Sequence, residues 1–196
     1  MIIGSHNSWS YLTIKPIWYD VTFGWIVRCQ DKDIRQQYSM YNVNCFDLRI
    51  KFDNKGKLQV CHNKAVFYIN QEELDKDLQF INDQGECYVR VLLDVRSSKD
   101  YTPTMIYNFI IYCRDIEKRY PKIKFFGGRN LYDWKVEHEF KGVEPSVDEK
   151  CGSVTKPKWL NGLWPERFAR KYNRAILEQG TDKDILLIDF VNIQTI

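Results

Sequence analysis

An excess of charge of one sign is nearly absent from this chain. Its 196 residues carry 29 Lys and Arg against 26 Asp and Glu, a formal net charge of +3. So small an excess leaves no electrostatic footprint for nucleic acid, and nucleic acid is not an expected partner. Long apolar runs are missing too, and no stretch approaches the roughly 20 residues a membrane-spanning helix needs. Met1 leads straight into Ile2, Ile3 and Gly4, not into a basic and then apolar leader, so a cytoplasmic location is expected unless a signal has been trimmed. The six cysteines (Cys29, Cys45, Cys61, Cys87, Cys113, Cys151) form no CxxC pair and no cluster with histidine at zinc spacing. They read as reduced thiols that pack as small hydrophobes. With no repeat and no linker rich in Pro, Gly and Ser, residues 1–196 read as one domain.

What is present is an alternation of element types. Strand-like runs open at Ile2 and Ile3 and recur at Asn44 to Lys51, Leu58 to His62, Cys87 to Val95, Ile123 to Phe126 and Asp184 to Val191. Helical periodicity lies between them. Leu74, Leu78 and Ile81 make one apolar stripe, and Ile106, Phe109, Ile110, Cys113 and Ile116 another, the latter started by Thr102 as cap and Pro103 in the first turn. Phe168, Tyr172 and Ile176 mark a third helix from about Pro165 to Glu178, with Gly180 as its stop. Such alternation predicts an α/β fold with a mainly parallel sheet, open or closed. From Leu131 to Leu163 there is no clean period, and long loops around a short strand within Lys135 to Phe140 are expected. His138 and the mixed charges of Lys141 to Lys158 read as solvated surface.

The chemistry concentrates at strand ends. The first strand runs into Gly4-Ser5-His6-Asn7-Ser8-Trp9, which places a histidine where barrels and open α/β sheets build their sites. In the second strand, period-two alternation sends Cys45, Asp47 and Arg49 to one face and Phe46, Leu48 and Ile50 to the other. Either the charged face looks into a cleft or it is a solvent-facing ion pair on a half-exposed strand. A third strand ends in Val60-Cys61-His62, and the last leads into Asp189. Two histidines around an arginine suit phosphodiester cleavage: one imidazole takes a proton from the attacking hydroxyl, the other gives one to the leaving oxygen. The arginine fork matches phosphoryl oxygens and keeps its charge at any working pH.

GSHNSW, then CFDLRI, then a short strand ending in histidine resembles the catalytic X region of phosphatidylinositol-specific phospholipase C, most closely its bacterial, metal-independent branch. The likeness covers roughly Ile2 to His62 and recurs at LLIDFVN. It implies a TIM-type barrel, here reduced or irregular because such barrels typically run to about 250 residues. It also implies phosphodiester cleavage through a cyclic intermediate. Carried over, His6 is the general base, His62 the general acid, Arg49 the phosphate-binding group, Asp47 the acidic residue before it, and Asp189 the carboxylate that orients the base. Asn7, Arg96 and Arg129 are candidate substrate contacts.

Two positions depart from the patterns of the branches. Asn7 stands where the bacterial pattern has aspartate, as in the calcium-dependent branch, and Arg49 stands where that branch has an acid. No cofactor is therefore expected, the alternative being a divalent cation such as calcium held by Asp94 with Asn7 and Asp47. The expected partner is a phospholipid or other phosphodiester. Trp18, Tyr19, Phe23 and Trp25, with Lys15, suggest interfacial membrane contact at the site's rim. Alternatives are another head group, such as a glycerophosphodiester or sphingolipid, or a non-catalytic phosphate-binding barrel.

Overall fold

A computed structural model describes residues 2–95, 101–129, 151–153, 164–179 and 185–193. Its elements run, in chain order, β1 (Ile2–Ser5), β2 (Ile14–Lys15), α1 (Ile17–Val27), α2 (Ile34–Tyr41), β3 (Cys45–Phe52), β4 (Leu58–His62), β5 (Ala65–Phe67), α3 (Gln71–Gln84), β6 (Tyr88–Leu93), α4 (Pro103–Arg119), β7 (Lys124–Arg129), β8 (Cys151–Ser153), α5 (Pro165–Gln179) and β9 (Ile185–Ile188). Strands β8, β9, β1, β3, β6 and β7 lie side by side, every neighbouring pair parallel. They make a curled half-barrel around the mainly parallel sheet that the alternation predicted. The C-terminal part of β3 also takes β4 as an antiparallel neighbour, and β4 leads to β5 and β2 as an antiparallel annex.

The sheet's two faces follow from residue parity. On the outer face Phe46, Leu48, Ile50, Val89 and Val91 pack under the apolar stripes of α3 (Leu74, Leu78, Ile81) and α4 (Phe109, Cys113, Ile116) in one continuous core. On the inner face Cys45, Phe126, Ile185 and Leu187 form a smaller apolar plug at the strands' N-terminal half. Two residues further along each strand the inner face turns polar. Cys45 is followed by Asp47 and Arg49, Tyr88 by Arg90, and Leu187 by Asp189. A solvent-facing ion pair on a half-exposed strand is therefore the wrong description of β3. Asp47 is fully buried and Arg49 is only 4% exposed.

The helices start where their caps say. Thr102 caps α4 through a bond from Met105 N–H (3.2 Å), with Pro103 in the first turn. Asn70 and Glu73 form a reciprocal capping box on α3. Glycine is required at Gly127, where φ is +129° and a Cβ would stand 2.0 Å from the Val91 carbonyl oxygen. It lets β7 close on β6.

Several elements depart from the expectations. The segment after β1, expected at the site's rim, contains α1 and α2, and the sheet gains β2, β5 and β8. The short strand expected within 135–140, His138 and most of the 131–163 loop region lie outside the described residues, as do Gly180 and Arg96. No described helix is long and apolar enough to cross a membrane.

Candidate active site

The turn after β1 is tied to β3 through Asp47 and Ser8. Ser8 N–H donates to the Asp47 carbonyl (2.9 Å), Asp47 N–H donates to Ser8 Oγ (2.7 Å), and Asn7 N–H donates to Asp47 Oδ2 (2.9 Å). Asn7 adopts a left-handed φ of 47°, which asparagine tolerates better than most residues. This lashing presents His6 at the C-terminal end of the sheet. There His6 Nδ1 meets Asp189 Oδ1 at 2.7 Å and Nε2 meets an Arg49 terminal nitrogen at 2.6 Å. Guanidinium can only donate, so Nε2 accepts from it, and Nδ1 carries the proton donated to Asp189.

Arg49 is the centre of the network. Its Nε donates to Asp47 Oδ2 (2.9 Å), a second nitrogen lies 3.8 Å from Asp94 Oδ2, and the third reaches His6. Burial works against its charge, but Asp47 and Asp94 outweigh that and raise its pKa further. Burial likewise opposes ionisation of Asp47. Arg49 and then Arg90 overcome it and hold the carboxyl well below the usual carboxylate range. Arg90 on β6 is in register with Asp47, and its Nε lies 3.8 Å from the other Asp47 oxygen.

His62, at the end of β4, stands opposite. Its ring centre is 6.2 Å from that of His6, edge to face, and its Nδ1 lies 3.0 Å from the Val27 carbonyl at the end of α1. A carbonyl only accepts, so Nδ1 bears the proton and Nε2 is left for chemistry. Burial, the nearby Arg49 charge and His6 push the His62 pKa down to about 4. Next to His62, Asn63 N–H donates to Asp94 Oδ2 (2.8 Å), which pins the carboxylate that backs Arg49.

The structure thus brings together His6, Arg49, Asp47, His62, Asp94 and Asp189. Asn7 sits among them fully buried, with both polar side-chain atoms lacking a hydrogen-bond partner. Arg129 is the last residue of β7, but its side chain, like the whole of Arg96, is outside what is described. Lys15 lies on β2 with its ammonium over the Tyr68 ring, 4.5 Å from its centre.

Sequence reasoning missed three contributors. Arg90 had a signal, because alternation in YVRVLL puts it on the same face as Asp94. Gln30 bonds the carbonyls of His6 (3.1 Å) and Ile188 (2.9 Å), and Asn173 of α5 bonds the Asp189 carbonyl (2.8 Å). Neither carried a recognisable pattern. Beside them lies Cys29, one of the thiols expected to pack as small hydrophobes, whose pKa is raised by burial and then by the adjacent Asp189.

As to a cation, Asp47, Asp94 and the Asn7 carboxamide are oxygen donors of the kind a hard ion takes. Arg49 nevertheless reaches both carboxylates from between them, so the guanidinium already stands where such an ion would have to sit. The donor set does not fit a calcium ion without displacing Arg49.

The overall arrangement matches solved structures over nearly its whole length. A point variant of the phosphatidylinositol-specific phospholipase C of Staphylococcus aureus aligns over 96% of this chain and 84% of its own, with a TM-score of 0.63 at 15% identity. A structure of the same enzyme, from work on modulation of its membrane binding, aligns over 96% and 85%, also with a TM-score of 0.63 at 15% identity. The chain has the phosphatidylinositol-specific phospholipase C fold. That fold is a TIM-type barrel, here a curled half-barrel consistent with a reduced or irregular form. No protein-family model matches the sequence, and no curated protein matches it.

Proposed function

We propose that the chain is a phospholipase C-like phosphodiesterase working by two-histidine acid and base catalysis without a metal, as in the bacterial branch of the family it resembles. The observation that carries the reading is the linked set Asp189, His6 and Arg49 facing His62 across 6.2 Å. Asp189 fixes the tautomer of His6 and would stabilise the imidazolium formed when Nε2 takes a proton. Arg49, backed by Asp47 and Asp94, turns its free donors to the phosphoryl oxygens and in doing so releases His6 Nε2. The attacking hydroxyl, adjacent to the phosphate on the substrate, loses its proton to His6. Its oxygen bonds to phosphorus, the bond from phosphorus to the leaving oxygen breaks, and that oxygen takes a proton from Nε2 of His62 in its imidazolium form, charged as the anionic diester binds. The products are a cyclic phosphate and an alcohol. Water can open the ring with the two histidines exchanging roles. The unpartnered Asn7 carboxamide N–H is a donor suited to an oxygen of the same phosphate.

The surroundings support a lipid-borne substrate. A groove of about 540 Å³ runs between α1 and β4, lined by Tyr19, Ile26, Val27, His62, Asn63 and Lys64 among others. The same helix exposes Ile17, Trp18, Val21, Phe23 and Trp25. Apolar side chains left in water beside a groove suit an interfacial enzyme that docks α1 into a bilayer surface.

The test is release of cyclic or linear phosphate from a fluorogenic inositol phosphodiester by wild type and His6→Ala, with and without chelator, beside a panel of glycerophosphodiester and sphingolipid head groups. Turnover that survives chelation and falls by about 10² to 10⁴ in the variant is expected. Turnover equal in the two proteins, or none on any diester, would overturn the proposal.

A further inference from the structure

We propose that Cys29, His6 and Asp189 form a binding site for a soft divalent metal, zinc or cadmium, and that its occupation switches off the general base. The thiol sulfur, a ring nitrogen of His6 and a carboxylate oxygen of Asp189 all lie within 4.8 Å of one another, and no other His, Cys, Asp and Glu group among the described residues meets that spacing. A tetrahedral zinc holds its ligands at about 2.0–2.3 Å, which places ligand atoms roughly 3.3–3.8 Å apart. Small side-chain movements suffice, the main one being an opening of the 2.7 Å His6 to Asp189 contact.

The thiol is built into this position. Cys29 N–H donates to Ser10 Oγ (3.0 Å), while its carbonyl accepts from the N–H of Phe190 (2.6 Å), the residue next to Asp189. The sulfur is buried, whereas His6 and Asp189 keep 16% and 13% of their side-chain surface open to the cleft. A metal can therefore enter from the substrate side and keep its fourth position there. One thiolate, one carboxylate and one neutral imidazole balance a 2+ charge. A thiolate selects zinc or cadmium over calcium, which separates this site from the all-oxygen set around Asp47 and Asp94.

Occupation has a chemical consequence. Metal on Nδ1 leaves the neutral ring its proton on Nε2, so the nitrogen that should accept the hydroxyl proton becomes a donor. It would then point a donor at the Arg49 donor now 2.6 Å away, and the guanidinium would have to withdraw. This switching half rests on His6 being the base. The binding half does not.

The full chain, kept reduced with a phosphine, is titrated with cadmium chloride while the thiolate-to-cadmium charge-transfer absorption is followed. A band saturating at one equivalent is expected in wild type and absent in Cys29→Ser, with Cys29→Ala as the second comparison should the serine variant fail to fold. Zinc should displace the band and chelator should erase it. Partners of ligands alone are worth about 10- to 100-fold in metal affinity, so loss of the sulfur ligand should weaken binding by at least about 100-fold. No band, or an equal band in both Cys29 variants, overturns the site. Phosphodiesterase activity measured in parallel should fall with zinc in wild type and resist it in the Cys29 variants. A normal band without zinc inhibition overturns the switch and leaves the site standing.

Discussion

His62 should take up a proton when a phosphodiester binds. In the free protein its pKa is pushed down to about 4 by burial, Arg49 and His6. At pH 7 only about one ring in a thousand would be protonated, a poor starting point for a general acid. A bound phosphate brings a negative charge between the rings and draws the donors of Arg49 onto itself, which reverses the causes of the depression. An opposite charge within about 4–6 Å raises an imidazole by roughly 1–3 pH units. At pH 5.5 the free ring is only about 3% protonated, so a shift of that direction and size draws a large fraction of a proton onto each site. At pH 8 the uptake should be close to zero.

The sign of the linkage is fixed by this shift. Because the bound value is the higher one, ligand affinity gains its full increment, on the order of 1–4 kcal/mol, below pH 4 and loses it as pH rises through the raised value. Titration calorimetry of a diester analogue lacking the adjacent hydroxyl, in two buffers of different ionisation enthalpy, measures the proton number directly. His62→Gln should abolish the uptake. The same uptake in wild type and His62→Gln, or none in wild type at pH 5.5, would refute the assignment of His62 as an acid charged by its substrate.

Three further outcomes follow from the same geometry. Asp189→Asn should lower turnover within the range of about 10² to 10⁴ with little change in KM, because it disturbs the tautomer of His6 and not the phosphate contacts; steady-state kinetics on the inositol diester would show this. Asn7→Asp places a carboxylate with no partner beside Asp47, so the melting temperature should fall, most at neutral pH, and recover on acidification as the new group is protonated; a pH series of thermal melts checks it. Gly127→Ala should destabilise by several kcal/mol or prevent folding, since the added methyl meets the backbone of Val91 and φ is +129°; denaturant unfolding measures it.

Much of the site was legible because its residues obey strand parity. His6 and His62 stand at strand ends, and Asp47 and Arg49 alternate with Phe46, Leu48 and Ile50, which pack outward as the pattern requires. Arg90 obeys the same rule yet passed unnoticed, since a lone charge inside VRVLL gains meaning only once register sets it against Asp47. Helix α1 was illegible for a different reason. IWYDVTFGWIV is apolar on nearly every side and gives no stripe, and the structure shows why: Trp18 and Val21 face outward, 64% and 80% exposed. Helix α2 did carry a start signal, the reciprocal box of Asp33 and Gln36, but its short apolar pattern did not draw attention to it. Strands β2 and β5, two and three residues long, exist only through their pairing and leave no periodic trace.

The charges around Arg49 explain why Asn7 belongs in this version of the site. Three carboxylates, Asp47, Asp94 and Asp189, surround Arg49, Arg90 and His6 before any substrate arrives, the last paired with the histidine. Both arginines are buried, so neither relies on solvent to screen its partners. A fourth carboxylate at position 7 would raise the surplus of negative charge where an anionic diester must enter. A neutral carboxamide keeps the hydrogen-bonding capacity without that repulsion. Calcium would correct the surplus from the other direction, but it would have to break the 2.9 Å contact of Arg49 with Asp47. Separating such a buried pair costs about 3–5 kcal/mol, and the freed guanidinium would remain beside the ion as a like charge. Arg49 and Asn7 are in this sense one solution: the arginine supplies the fixed positive charge, and the asparagine withholds the negative one that would neutralise it.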